Sequence, residues 1–221
     1  MKKLLLVPLL LVLLVLSGCM LTSASDLYML PEPAEGFVNL ENKLAEVIAL
    51  GAEYSAPLKG NNRQAVQLVD LNGDDVEEAV AFFRLYDQDK PLRMYIFRLK
   101  NNSYETAAVI EADGTAFDVI EYRQLDGVGN LELLIGTRIS ADISQVMNIY
   151  TINGFAPAIV KQVPYTGYVL TDIDRDSTEE FMVVNYDAAT LSGKALLYEF
   201  SDGSFDAVFE EHLSTGIDSI Y

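Results

Sequence analysis

The stretch DLNGDDVEE at residues 70–78 recurs twice more along the chain, as QLDGVGNLE at 124–132 and as DIDRDSTEE at 172–180. Each copy ends in glutamate and lies between two short runs rich in apolar and β-branched residues, such as VQLV at 66–69 and AVAFF at 79–83. The copies begin 54 and 48 residues apart. Self-similarity at a period of this length is typical of repeat architectures. The sequence therefore predicts about three copies of one structural unit, and we call these stretches loop one, loop two and loop three.

The second half of each unit repeats as well. Strand-like runs occur at 94–97, 147–150 and 196–199, and they are followed by the turn signals Asn101-Asn102, Asn153-Gly154 and Asp202-Gly203. An aromatic residue comes after each turn, namely Tyr104, Phe155 and Phe205. Asn-Gly and Asp-Gly between strand-like runs indicate hairpins, because both turn residues must tolerate positive φ. Each unit thus holds four short strands, the composition of a propeller blade.

The predicted fold is mainly β, an open or incomplete β-propeller-like array of about three four-stranded blades with one N-terminal helix. The repeat region covers 65–221, with units at about 65–115, 116–166 and 167–215 and a partial strand at 216–221. Closed propellers typically use four to eight blades. Three explanations stay open: a shortened relative of a longer propeller, closure by a partner chain, or a compact arrangement in which the helix covers an end. We favour the first.

The acidic loops resemble the Asp-x-Asp/Asn-x-Asp-Gly-x-x-Asp/Glu loop of FG-GAP and VCBS repeats, which are β-propeller repeats of surface and secreted proteins. The resemblance covers residues 65 to about 200 in three copies. It departs from the family at the sixth loop position, where Asp75 and Ser177 replace glycine and only Gly129 keeps it. The resemblance implies calcium in such loops, and it does not imply an enzyme.

Two of the loops offer enough oxygen atoms for calcium, which takes six to eight oxygen ligands. The predicted ligands of loop one are Asp70, Asn72, Asp74 and Glu78 with the backbone carbonyl of Val76, and those of loop three are Asp172, Asp174, Asp176 and Glu180 with the carbonyl of Thr178. Loop two has Gln124 and Val128 at its first and fifth positions, so we expect no metal there. The alternative for all three loops is that the side chains bond nearby backbone amides without an ion.

The N-terminus carries a different signal. Lys2 and Lys3 precede an apolar run at 4–16, which at about 1.5 Å per residue is too short to span a membrane as a helix. The sequence LSGC at 16–19 follows and resembles the lipobox of bacterial lipoproteins. The resemblance implies a signal peptide at 1–18 and a lipid on Cys19, the sole cysteine. An ordinary secretory signal, or a small buried thiol, is the alternative.

A predicted tether at 19–36 links this signal to an amphipathic helix at 37–51. The tether contains Pro31 and Pro33 and shows no sustained period. In the helix, apolar residues recur at three-and-four spacing, and Gly51 stands at the position of a C-terminal cap. We expect the helix to cover part of a sheet.

Composition excludes several classes of function. A net charge of −18 excludes nucleic-acid binding, and one cysteine with one histidine, His212, excludes a zinc cluster of Cys and His. No serine lies in a Gly-x-Ser-x-Gly elbow. Tyr104 and Tyr165 could contact a glycan or a peptide, but packing between blades is the interpretation we favour.

The sequence therefore predicts an extracytoplasmic binding or scaffold protein, anchored to the bacterial membrane through Cys19, with calcium in one or two of its β-repeat loops. An envelope glycan or a protein is the expected ligand. The alternative is an envelope-associated hydrolase that acts on glycan through loop carboxylates.

Overall fold

The computed structural model describes residues 35–140, 145–201 and 204–213. Within them the chain forms one helix and thirteen strands in three antiparallel sheets, which confirms the predicted mainly β fold. The elements are α1 (Glu35–Ala49), β1 (Ala52–Tyr54), β2 (Val66–Val69), β3 (Glu78–Leu85), β4 (Leu92–Lys100), β5 (Ser103–Ala112), β6 (Ala116–Arg123), β7 (Glu132–Arg138), β8 (Gln145–Asn153), β9 (Ala156–Tyr165), β10 (Gly167–Thr171), β11 (Glu180–Asp187), β12 (Ser192–Ser201) and β13 (Ser204–Leu213). The predicted signal peptide, Cys19, the tether up to residue 34 and the partial strand at 216–221 lie outside the described residues.

Each sheet is a blade whose strands follow one another in chain order. Blade two is β6-β7-β8-β9, blade three is β10-β11-β12-β13, and blade one is built from β2, β3, β4 and β5 with the short β1 added. Among the described residues, one hydrophobic core joins blade one to blade two and another joins blade two to blade three, but none joins blade three to blade one, so the array of described blades is open. Each acidic loop joins the first strand of its blade to the second.

Two tight turns explain how the strands fold back. Asn101 and Asn102 join β4 to β5 with φ of 50° and 59°, a conformation that asparagine tolerates better than most residues. In blade two the turn residues are Gly154 and Phe155, with φ of 55° and 65°, one residue later than the sequence predicts. Phe155 packs against the core and lies 5.8 Å from the guanidinium carbon of Arg98, and these contacts offset its unusual φ.

The first strand of blade one is split. β1 pairs with the 83–85 end of β3, and β2 pairs with the 78–81 end of the same edge. The chain between them crosses to blade two, where Leu58 N donates to Phe117 O at 3.2 Å and Lys59 N donates to Asp118 O at 2.8 Å. This segment therefore covers the free edge of β6.

The hydrophobic cores lie between the layers, and alternate residues of one strand serve different cores. On β3, Phe82 packs between blades one and two, whereas Phe83 packs under α1. On β7, Leu133 faces blade one and Leu134 faces blade three. Because both faces of these strands are buried, they read in the sequence as unbroken apolar runs.

The outermost strand of each blade contains a β-bulge at the same place. The extra residues, which have no partner in the pairing register, are Ala107 in β5, Val160 in β9 and Val208 in β13. These residues are 53 and 48 positions apart, close to the spacing of the acidic loops. The repeat therefore extends to the irregularities of the strands.

Candidate metal centre

Loop three brings four predicted ligands together. Side-chain oxygens of Asp172, Asp174, Asp176 and Glu180 all lie within 4.8 Å of one another. Ligands on opposite sides of one calcium ion, each at about 2.4 Å, would be about 4.8 Å apart. The four oxygens therefore fit in a single coordination sphere of that size, and an all-oxygen donor set suits calcium or magnesium better than zinc.

The backbone of loop three holds these carboxylates in place. Arg175 N donates to Asp172 Oδ1 at 2.6 Å and Ser177 N donates to Asp172 Oδ2 at 3.1 Å. Asp176 accepts from the backbone N–H and the hydroxyl of Thr178, and these hydrogen bonds lower the pKa of Asp176, the hydroxyl having the larger effect. The turn thus fixes the position of Asp172 and keeps Asp176 in the ionised form that a cation requires.

Loop one has the same backbone but gathers its side chains differently. Asp70 accepts from the backbone N–H of Asn72, Gly73, Asp74 and Asp75. Burial acts to raise the pKa of Asp70, but these four donors together lower it below its ordinary value. Asn72 Nδ2 donates to Asp74 Oδ2 at 3.1 Å, and Val76 is exposed. Among the described residues, three or more carboxylates converge in loop three alone. The carboxylates of loop one do not converge in this way.

The sixth position of the loops adopts a left-handed conformation in all three copies. The φ values are 64° at Asp75, 44° at Gly129 and 78° at Ser177. Loops one and three, which have no glycine at this position, therefore keep the backbone conformation that glycine favours, at a cost of about 1 kcal/mol for a residue with a side chain.

The ninth position has a role that the sequence did not predict. Glu78, Glu132 and Glu180 are buried, and in each one Oε2 accepts from the backbone N–H of the second loop residue, at 3.0, 2.8 and 2.6 Å. Burial raises the pKa of Glu78 to about 6 and that of Glu132 to about 7. Because loop two keeps this bond although Gln124 and Val128 replace the acids at its first and fifth positions, the bond does not depend on a full set of predicted metal ligands.

The three loops lie side by side along one rim. Leu131 N of loop two donates to Leu71 O of loop one at 2.9 Å, and Glu179 N of loop three donates to Gln124 O of loop two at 3.0 Å. Leu71 is buried between the first two blades, whereas its counterpart in loop three, Ile173, is 56% exposed because no described blade covers it.

A buried polar network on β6 was missed by the sequence reasoning. Asp118 accepts from Arg138 Nε at 2.7 Å and from the Tyr165 hydroxyl at 2.9 Å. Three residues on, Glu121 accepts from Arg123 Nη2 and from the Tyr168 hydroxyl, both at 2.9 Å. The signal in the sequence was an acid inside the apolar run FDVI at 117–120.

The network joins blade two to blade three, since Tyr168 belongs to β10. Both carboxylates are buried, and each accepts the two hydrogen bonds just described. Burial is the larger cause and the negative charge of the neighbouring carboxylate the next, and together they raise the pKa of Tyr165 and of Tyr168. This arrangement suits a structural role. Tyr165 and Tyr104 are buried, as the packing interpretation predicts, and His212 is exposed on β13.

Comparisons with known proteins place the chain in no family. No family model matches it, and no curated protein matches it. Among solved structures it is similar to the crystal structure of exotype rhamnogalacturonan lyase YesX, with a TM-score of 0.41 and 13% identity over 73% of this chain and 33% of that chain. The chain thus spans about a third of that structure. Of the helical residues described, none form a stretch long and apolar enough to cross a membrane.

Proposed function

We propose that the protein is a lipid-anchored extracytoplasmic binding or scaffold protein, in which an FG-GAP/VCBS-like β-repeat domain holds calcium in loop three. The observation that carries the proposal is the convergence of four carboxylates in that loop. Four like charges at such distances repel one another unless a cation or protons neutralise them. The bound ion would hold the four carboxylates of loop three in place at the rim of blade three. The surface beside loop three would remain free for a ligand.

Calcium should stabilise the full-length protein, purified in detergent and stripped of metal with a chelator. At about 100-fold excess over its Kd, an ion that binds only the folded state adds about 2.7 kcal/mol. We expect the melting temperature to rise with calcium and the rise to be largely lost in Asp172→Ala. Asp126→Ala, in loop two, is the matched control and should keep the shift. No shift of the unaltered protein at saturating calcium would contradict the proposal.

The lipid anchor is tested separately. Cys19→Ser removes the predicted acceptor sulfur, so the protein should move from the membrane fraction to the soluble extracytoplasmic fraction and should lose incorporation of labelled palmitate. Ser23→Ala, in the predicted tether, should change neither result. Tight membrane retention of Cys19→Ser would refute the anchor.

A further inference from the structure

A groove with a volume of about 340 Å³ lies between blade two and blade three. Its walls include Asp126 and Val128 of loop two, Asn153 and Val160 of blade two, and Phe200 of β12. Small-molecule sites typically occupy 300–1,000 Å³ and combine apolar walls with a few polar groups. The groove fits this description at its lower end.

Loop two differs from its neighbours in what it presents to this groove. The fifth loop position is Asp74 in loop one and Asp176 in loop three, but it is Val128 in loop two, where the side chain is 65% exposed. An exposed valine replaces an acid in the loop that borders the groove. Val160, the bulge residue of β9, adds a second apolar contact from blade two.

An aromatic ring provides the opposite wall. The ring centroid of Phe200 lies 4.7 Å from that of Phe205, a buried core residue, so its position is fixed by packing. Phe200 also lines the cleft of loop three together with Asp174, Asp176 and Glu180. The groove therefore lies directly beside the candidate metal centre.

The polar groups of the groove favour an uncharged ligand. Its lining contains one carboxylate, Asp126, and no lysine, arginine or histidine. Asp126 Oδ1 accepts from Val128 N at 2.8 Å, and within the described part of the chain Oδ2 has no hydrogen-bond donor. The side chain of Asn153 is likewise without a hydrogen bond to a described residue. In a protein with a net charge of −18, such a site repels anions and offers acceptors to hydroxyl groups.

We propose that this groove binds a neutral saccharide. The apolar face of a sugar ring packs on Phe200, Val128 and Val160, while its hydroxyls donate to Asp126 and exchange hydrogen bonds with Asn153. The inference rests on the proposed function as a binding protein and assigns the ligand class and its location. It also explains the altered loop two, which exchanges an acidic side chain for an apolar contact.

The test uses the full-length protein in a detergent without a sugar head group. Binding of glucose, mannose and N-acetylglucosamine tetrasaccharides is measured by titration calorimetry, with a uronic-acid tetrasaccharide as the charged comparison. We expect saturable binding of at least one neutral probe and weaker binding of the charged one. Asn153→Ala should weaken the binding by up to about tenfold, the loss expected for one hydrogen bond.

Two neighbouring residues of β9 give a matched pair of variants. Val160 lines the groove, whereas Ile159 lines a separate cavity beside Glu111 and Tyr150. Both side chains are exposed, so Val160→Arg and Ile159→Arg should fold with similar melting temperatures. We expect Val160→Arg to abolish saccharide binding and Ile159→Arg to retain it.

The outcomes separate this inference from the proposed function. If no neutral saccharide binds while calcium still stabilises the protein and Cys19 still anchors it, the groove assignment is overturned and the proposed function stands. Equal binding by Val160→Arg and the unaltered protein would also overturn it, as would preference for the uronic-acid probe.

Discussion

The glutamate that ends each acidic loop combines burial with a backbone hydrogen bond, and Glu132 shows the consequence away from the predicted metal ligands. Burial raises the pKa of Glu132 from 4.5 to about 7. Between these values the folded protein holds a proton that the unfolded chain has released. The resulting stabilisation is therefore fully present below pH 4.5 and is lost as the pH rises through 7.

Glu132→Gln should remove this pH dependence, because glutamine does not titrate and its oxygen can still accept from Leu125 N. The free energy of unfolding is measured in buffer that contains a chelator. Between about pH 5 and about pH 8 we expect it to fall by about 2–3 kcal/mol less in Glu132→Gln than in the unaltered protein. Denaturant unfolding at both pH values measures the effect. Glu211→Gln, on exposed β13, is the control and should retain the full fall; an unchanged slope in Glu132→Gln would show that Glu132 does not titrate in this range.

Single residues also mark the limit of what the sequence predicts. The ligand types of loop three are visible because they repeat locally at alternate positions. The partners of Asp118 cannot be recognised in the sequence, because Arg138 and Tyr165 are 20 and 47 residues away and contact Asp118 only when blade two has formed. The bulge at Asp118 moves the side chain out of simple strand alternation, which no local pattern records.

At the level of elements, α1 covers the face of blade one that lies away from blade two. Leu40, Leu44 and Val47 are buried against the sheet, in a core with Ala79, Ala81 and Phe83. The apolar spacing predicted this contact. The helix therefore covers one end of the array, as in the third explanation given above for the small number of blades. The array of described blades nevertheless stays open.

Leu44→Ala should lower the free energy of unfolding by about 2–3 kcal/mol, since it removes buried methyl groups and leaves a cavity under the helix. Leu50→Ala, just beyond the helix at 72% exposure, should change it by less than about 0.5 kcal/mol. Chemical denaturation of both variants provides the comparison. Equal losses would mean that α1 does not pack on blade one in solution.

On the scale of the whole molecule, blade two is the shared partner of both neighbours. One core joins it to blade one, and a second core joins it to blade three through Phe181, Tyr198 and Phe205. The sequence predicts the order of the blades from the repeat. It does not reveal that residues 55–62 of blade one cover β6, because that segment has no period and no counterpart in the other units.

Phe181→Leu should destabilise blades two and three together. The substitution leaves a partial cavity in their common core and should cost about 1–2 kcal/mol. In hydrogen exchange followed by mass spectrometry, we expect protection to fall in β7 and β8 as well as in β11 and β12. Val208→Ala, on the exposed bulge of β13, should leave protection unchanged, and a loss confined to blade three would show that the blades unfold independently.

The bulges at Ala107, Val160 and Val208 have a consequence for solubility. β5, β9 and β13 are the outer edges of their sheets, and a straight edge strand is a template on which another chain can add and begin a fibril. A bulge twists the edge and interrupts its row of backbone donors and acceptors. Because every described blade has this irregularity at the same height, the outer edges of the blades are protected against edge-to-edge aggregation.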